Sequence, residues 1–188
     1  MATMRPLRAD ARRNHDRILE VAARAFSQDG PDVTLDAIAK QAGVGIGTLY
    51  RHFPTREALV DAAYRAELTR LCDSVDTLLR DLPPDEALRS WMQRFIDYMR
   101  TKRGMADALR ALIVSGGNPF SESRDRLTAA MTTLLHAGVA AGTLRSDVEP
   151  DDVLIGLSGV SLATADPDRR KQAARLLDLM MDGLRVHR

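Results

Sequence analysis

The sequence contains few cysteines, few aromatic residues and no long apolar run. Its one cysteine, Cys72, excludes an internal disulfide and a zinc site built from several cysteines. Aromatic residues make up 4% of the chain, and no segment alternates apolar and polar residues for long enough to indicate a strand. The longest apolar runs, such as residues 154–165, are shorter than the ~20 residues that a membrane span needs. These absences predict a soluble, all-α protein.

Charge is nearly balanced overall but unevenly distributed. The chain has 27 Lys and Arg against 26 Asp and Glu. Residues 1–56 hold nine of the basic residues and six of the acidic ones, and four arginines (Arg5, Arg8, Arg12 and Arg13) lie within the first thirteen residues. A flexible basic arm over residues 1–12 could reach phosphates, or it could be a solvated tail. No apolar stretch follows these arginines, so a secretory signal is not predicted and a cytoplasmic location is expected.

Apolar residues at helical spacing predict about nine helices. The first ends before Gly30-Pro31, the second lies between Thr34 and Gly43, and the third ends before Pro54. A fourth continues without Gly or Pro from Thr55 to Leu82, a length of about 40 Å in a helix. Five more are predicted over residues 85–102, 105–114, 119–142, 150–165 and 167–186. The long fourth helix can join a small N-terminal module to a larger C-terminal one.

Residues 34–53 read TLDAIAKQAGVGIGTLYRHF and have the pattern of a helix-turn-helix. Two short helices flank a glycine-containing turn, and the second is narrow enough to enter the major groove of DNA. This pattern alone is equally typical of helical hairpins that bind nothing.

The particular residues of this segment resemble the DNA-binding domain of the TetR family of bacterial regulators over residues 34–59. The matching elements are Thr34, Ala42-Gly43-Val44, Gly47-Thr48-Leu49-Tyr50-Arg51-His52-Phe53 and Arg56. Two positions depart from the family pattern, because Gly45 stands where Ser or Thr is frequent and Arg56 where Lys is usual. The resemblance implies a DNA-binding domain over residues 1–56 and a helical domain for ligand binding and dimerisation over residues 57–188.

That resemblance also implies a function. Family members are expected to bind a palindromic operator as a homodimer, usually as repressors, and to be released by a small apolar or amphipathic effector. The C-terminal two thirds of this chain match the family only in helix pattern and length, as expected where each member suits its own ligand.

The third helix has two faces with different predicted roles. Leu49 and Phe53 lie four residues apart and, with Val44, are predicted to be core. The other face is left for DNA, where Ile46 and Gly47 would read base edges and polar side chains would contact phosphates. The predicted DNA-binding set is Thr34, Gly45, Ile46, Gly47, Thr48, Tyr50, Arg51, His52 and Arg56. Taken singly, Thr34 could be only a helix cap, Tyr50 a packing residue and His52 a surface residue, whereas Arg51 could contact a guanine, a phosphate or a neighbouring acid.

The C-terminal helices carry two further predicted surfaces. Resemblance to the family implies an apolar effector cavity, lined here by Trp91, Phe95, Met99, Leu109, Ile113, Met131 and Leu134, although any one of these could be ordinary core. Candidate polar anchors are Asp107, Arg110 and His136, each of which could equally be a solvated residue. Homodimerisation is expected through helices eight and nine, with Leu154, Leu157, Leu176, Leu177, Met180 and Leu184 at the interface.

Enzymatic activity is not predicted. The sequence has no phosphate-binding glycine loop, no metal-ligand cluster and no nucleophile elbow, and its four histidines are scattered. No cofactor or metal is expected. A second alternative is a ligand-binding or adaptor protein that keeps the fold but no longer binds DNA.

Overall fold

The computed structural model describes residues 4–29, 32–114, 116–120 and 122–186, and these residues form an all-α structure. The helices are α1 (Met4–Asp29), α2 (Leu35–Gln41), α3 (Ile46–His52), α4 (Arg56–Asp81), α5 (Pro84–Gly104), α6 (Ala106–Val114), α7 (Ser123–Ala140), α8 (Pro150–Ala163) and α9 (Arg170–Leu184). Extended pairing within these ranges is limited to one isolated bridge between Leu144 and Arg185. The predicted fold class is therefore confirmed.

The helix bounds differ from the sequence prediction at three places. Helix α1 begins at Met4, so residues 4–12 of the predicted arm are helical, whereas residues 1–3 lie outside the described residues. The only proline in this stretch, Pro6, lies in the first turn, where the missing backbone N–H costs nothing. Helix α7 begins at Ser123, and α9 follows a 3-10 turn at Pro167–Arg169. None of the described helices is long and apolar enough to cross a membrane.

The chain divides into two compact units. The N-terminal unit comprises Met1–Glu67 with Thr101–Pro119, and the C-terminal unit comprises Leu68–Arg100 with Phe120–Arg188. The sequence placed the boundary after residue 56, but the first turns of α4 bury apolar side chains, including Leu59 and Tyr64, in a core that belongs to the N-terminal unit. Helices α4 and α5 thus each contribute residues to both units.

A buried row on α1 forms part of the N-terminal core. Ile18, Ala22 and Phe26 lie four residues apart on one face and are buried. The last turn of α5 packs closely on the end of this row, because a Cβ at Gly104 would lie 2.0 Å from the carbonyl oxygen of Phe26. Only glycine permits this approach, which explains why the segment after residue 100 belongs to the N-terminal unit.

The C-terminal unit has an aromatic core with one directed hydrogen bond. The indole Nε1 of Trp91 donates to the carbonyl oxygen of Leu71 at 3.1 Å, and the Trp91 and Phe95 rings lie 5.7 Å apart. Helices α8 and α9 approach closely, since a Cβ at Gly156 would lie 2.9 Å from Cε of Met180. Both helices are therefore held by contacts inside their own chain.

Candidate nucleic-acid interface

The turn between α2 and α3 is short and fixed by backbone hydrogen bonds. Gly43 adopts φ 66°, the left-handed conformation that ends many helices. The amide of Gly43 donates to the carbonyl of Lys40 at 3.1 Å, and the amide of Val44 donates to Ala39 at 3.0 Å. Gly45 then stands in extended conformation as the N-cap of α3, without a side chain to cap it. The direction of α3 is thereby set relative to α2.

One face of α3 anchors the helix. Leu49 and Phe53 are buried, which confirms their predicted role as core residues. Val44, in the preceding turn, is only half-buried and contributes less to the core than the sequence predicted. A helix of seven residues is too short to be stable alone, so these contacts maintain it.

The opposite face of α3 is open. Gly45, Gly47 and Arg51 are exposed, the Tyr50 side chain is 48% exposed, and Ile46 and Thr48 are half-buried. A Cβ at either glycine would meet no atom within 4 Å, so the backbone at the start of α3 is accessible. Six of the nine predicted DNA-binding residues therefore lie together on or beside this face of α3.

His52 is held by neighbours that the sequence did not identify. Its ring lies 5.7 Å from the ring of His15 on α1 and 6.1 Å from that of Phe53. His15 also lies 5.2 Å from Phe53, and its Nδ1 is 3.1 Å from a carboxylate oxygen of Asp16. His52 is thus half-buried against α1 and is not the freely exposed residue of the simpler interpretation.

Thr34 and Arg56 have intramolecular roles in the structure. The exposed Thr34 hydroxyl accepts a hydrogen bond from the amide of Ala37 at 3.2 Å, so it caps α2. Nη1 of Arg56 donates to the carbonyl of Val33 at 2.5 Å, and its guanidinium lies over the Phe26 ring at 5.1 Å. Arg56 therefore connects the start of α4 to α1 and to the segment before α2, and its contact with phosphate stays a prediction.

The predicted effector-binding residues do not fall in one unit. Trp91, Phe95, Met99, Met131 and Leu134 belong to the C-terminal unit, whereas Leu109 and Ile113 belong to the N-terminal unit. All of the first group are buried except Met99, which is half-buried, and Ile113 is exposed. The predicted polar anchors lie at the surface, where Asp107 and Arg110 pair at 3.1 Å and His136 is exposed.

A surface cleft of about 1040 Å³ lies elsewhere in the C-terminal unit, between α7 and the start of α8. Asp151 accepts hydrogen bonds there from Arg124 at 2.6 Å and from Thr128 at 3.1 Å, and the first of these lowers the pKa of the carboxyl. None of the predicted effector-binding residues lines this cleft. Most of its lining residues are charged residues or threonines.

Half of the predicted dimer interface belongs to the core. Leu157, Leu177 and Leu184 are buried within their own chain, so they do not lie on a free surface of α8 and α9. Leu154, Leu176 and Met180 are half-buried.

The large apolar side chains that these helices expose are Ile155 (67% exposed), Leu162 (74%) and Leu179 (66%), which we call the apolar α8–α9 face. A spacing of two turns between Ile155 and Leu162 is the sequence signal that could have identified it.

The single cysteine lies in an environment that affects its reactivity. Cys72 is half-buried, and burial raises the pKa of its thiol, although Arg126 opposes the shift. Because the thiolate is the reactive form, this environment disfavours a redox sensor. The part of the chain that the structure describes contains no group of three or more His, Cys, Asp or Glu arranged to hold a metal ion.

Comparison with known proteins agrees with this architecture over nearly the whole chain. Residues 18–63 match the family described as bacterial regulatory proteins, tetR family, and residues 83–186 match the C-terminal domain of SbtR-like transcriptional regulators. HTH-type transcriptional regulators from Staphylococcus aureus are 32% identical over 114 residues, and that match spans 60% of this chain and 60% of their own length.

Two solved structures are similar along their full length. A TetR transcriptional regulator from Streptomyces coelicolor is 56% identical, with a TM-score of 0.90, and the match covers 93% of this chain and 99% of that one. A TetR regulatory protein from Mycobacterium vanbaalenii is 36% identical, with a TM-score of 0.78 and coverage of 96% and 100%. The chain therefore belongs to the TetR family of bacterial transcription regulators and is a DNA-binding regulator.

Proposed function

We propose that the protein is a homodimeric repressor that binds a palindromic operator and is released by a small apolar or amphipathic effector. The observation that carries this proposal is the open face of α3. Accessible backbone at Gly45 and Gly47 adjoins a tyrosine hydroxyl and the guanidinium of Arg51. A short helix anchored on one side and bare on the other suits insertion into the major groove.

The side chains of α3 divide into two kinds of contact. Ile46 and Gly47 lie at the start of the helix, where an apolar side chain and a close backbone can discriminate base edges such as the thymine methyl. Tyr50 and His52 lie further along and can donate to phosphate oxygens. Ile46 and Gly47 would therefore set sequence preference, and Tyr50 and His52 would set affinity for any sequence.

The apolar α8–α9 face supports a dimer. Three large aliphatic side chains exposed on two adjacent helices are costly in water and gain free energy when a partner covers them. A two-fold copy of the same face is the partner that matches it, and it would present two α3 helices to two half-sites. The regulator then requires both copies for high affinity.

Effector binding belongs to the C-terminal unit in this proposal. Trp91, Phe95, Met131 and Leu134 are buried apolar residues of this unit, and flexible methionine side chains can reshape around a ligand. An effector that binds one arrangement of α4 and α5 more tightly than another would shift operator affinity, because both helices also contribute to the DNA-binding unit. Binding of a compound to this group without any change in operator affinity would contradict that step.

The proposal is tested by the salt dependence of DNA binding. Two variants separate contacts with phosphates from contacts with base edges. Operator fragments are first selected from a genomic DNA library, and Kd is then measured for the selected and for scrambled duplexes. Tyr50→Phe removes only a hydroxyl, so affinity should fall by about tenfold for both duplexes. Ile46→Ala should instead reduce the ratio between the two affinities by about tenfold.

The outcomes distinguish the alternatives. Failure of the wild-type protein to bind any duplex at low salt would favour an adaptor of the same fold that has lost DNA binding. If Ile46→Ala lowers the affinity for both duplexes equally, Ile46 does not read base edges. A Kd that does not rise with added salt would contradict phosphate anchoring altogether.

A further inference from the structure

A basic residue of α1 lies directly over the turn of the helix-turn-helix. A Cβ placed on Gly43 would lie 3.4 Å from Nη2, 3.6 Å from Cζ and 3.7 Å from Nη1 of Arg17. The guanidinium therefore covers the turn between α2 and α3, although Arg17 stands 26 residues earlier in the chain. The sequence pattern did not predict a DNA-binding role for Arg17, because its position over the turn arises only from the packing of α1.

The charge of Arg17 is not neutralised within the described residues. Two other arginines of α1 have acidic partners, since Arg13 pairs with Asp10 and Arg24 pairs with Glu20 at 3.1 Å. The side chain of Arg17 is exposed and forms no ion pair or hydrogen bond with any residue that the structure describes. Its guanidinium over the turn is thus a cation available to an external anion.

The position of this cation relative to α3 matters. Gly43 lies two residues before Gly45, the N-cap of α3, so their Cα atoms are at most about 7.6 Å apart. The major groove is about 12 Å wide, and phosphates line both of its edges. A guanidinium over Gly43 therefore lies within reach of the phosphates that flank the groove when the start of α3 enters it.

We propose that Arg17 is a DNA-binding residue that contacts a phosphate flanking the start of α3. This inference rests on the proposed function, because it requires α3 to occupy the groove. The contact adds affinity and fixes register without reading sequence. The competing role is structural: a guanidinium near the last carbonyls of α2 can stabilise the turn without touching DNA.

The test measures Kd for a random-sequence DNA duplex over a series of salt concentrations. Arg17→Gln should weaken binding by about tenfold at low salt and should reduce the slope of log K against log salt by about 0.9 for each chain bound. Arg17→Lys, which keeps the charge, should retain the slope. Arg24→Gln is the matched control, because it removes an exposed arginine of the same helix that already has an acidic partner.

Two results would overturn the inference. If Arg17→Gln lowers thermal stability but leaves the salt slope equal to that of Arg24→Gln, the residue only supports the turn. If Arg17→Lys reduces the slope of log K against log salt as much as Arg17→Gln does, the charge of Arg17 does not determine that slope. Failure of the wild-type protein to bind the duplex would instead contradict the proposed function, so the two failures are distinguishable.

Discussion

Helix α3 and the helix pair α8–α9 each present an open surface, but the two surfaces have opposite chemistry. On α3 the exposed groups are glycine backbone, a tyrosine hydroxyl and a guanidinium, all of which can hydrogen-bond with a hydrated polyanion. On α8 and α9 they are Ile155, Leu162 and Leu179, which gain free energy only when water is removed. Each surface therefore disfavours the kind of partner that suits the other.

The two regions also differ in how they are supported. Helix α3 has seven residues and depends on Leu49, Phe53 and the turn at Gly43 to hold it. Helices α8 and α9 have 14 and 15 residues and are packed through their own buried positions, including Leu157 and Leu177. Changes on the exposed side of α8 and α9 should therefore affect assembly and leave the fold intact.

The largest expected effect is loss of the dimer. Replacing Leu162 and Leu179 together with Asp places two charges on the apolar α8–α9 face, where a covered carboxylate would be costly. The chain should become monomeric, and operator affinity should fall about a thousandfold because two linked half-site contacts become one. Sedimentation velocity and operator binding measure the two changes.

A control separates this effect from a general loss of solubility or charge balance. Val114 on α6 is 84% exposed and lies outside the apolar α8–α9 face, so Val114→Asp should leave the oligomeric state unchanged. Dimers in the Leu162→Asp, Leu179→Asp variant would show that another surface mediates assembly.

A smaller effect separates core from surface on α8 itself. Leu157 is buried and Ile155, two residues away, is 67% exposed. Leu157→Ala should lower the free energy of unfolding by about 3 kcal/mol, because it leaves a cavity. Ile155→Ala should weaken dimerisation and change the unfolding free energy of the isolated chain by less than about 0.5 kcal/mol. Denaturant unfolding at low protein concentration measures the unfolding free energy of both variants. Equal losses of unfolding free energy in the two variants would contradict the assigned orientation of α8.

The smallest expected effect concerns the bare start of α3. Gly45 has φ −69° and open space beside it, so Ser fits there without strain. Its hydroxyl can accept from the amide of Gly47, because the amide of Thr48 already donates to the Gly45 carbonyl at 2.8 Å. Gly45→Ser should stabilise the protein by about 0.5 kcal/mol, and the thermal midpoint should rise by about 1 to 2 °C. Gly45→Ala adds a Cβ at the same position without a hydroxyl, so no cap is gained. A rise of equal size in both variants would contradict the capping explanation.

The sequence predicted which residues of the helix-turn-helix are buried better than it predicted those of α8 and α9, because the apolar residues are spaced differently in the two regions. In and just after α3, the buried pair Leu49 and Phe53 is separated by Tyr50, Arg51 and His52, so the anchored face is evident from spacing alone. In α8 apolar residues occur on every side, and spacing cannot distinguish Leu157, which is core, from Ile155, which is exposed. The contacts of Arg17 with the turn and of His15 with His52 were not predictable, because they join residues far apart in the chain.

The indole of Trp91 gives the molecule an optical marker confined to one of its units. It is the only tryptophan in the chain, it is buried, and its N–H is bound to the Leu71 carbonyl. Its fluorescence emission therefore reports the packing of the C-terminal unit alone, whereas the tyrosines are divided, with Tyr50 and Tyr64 in the N-terminal unit and Tyr98 in the C-terminal unit. Excitation at a wavelength that only indole absorbs can follow the loosening of the C-terminal unit without any attached dye.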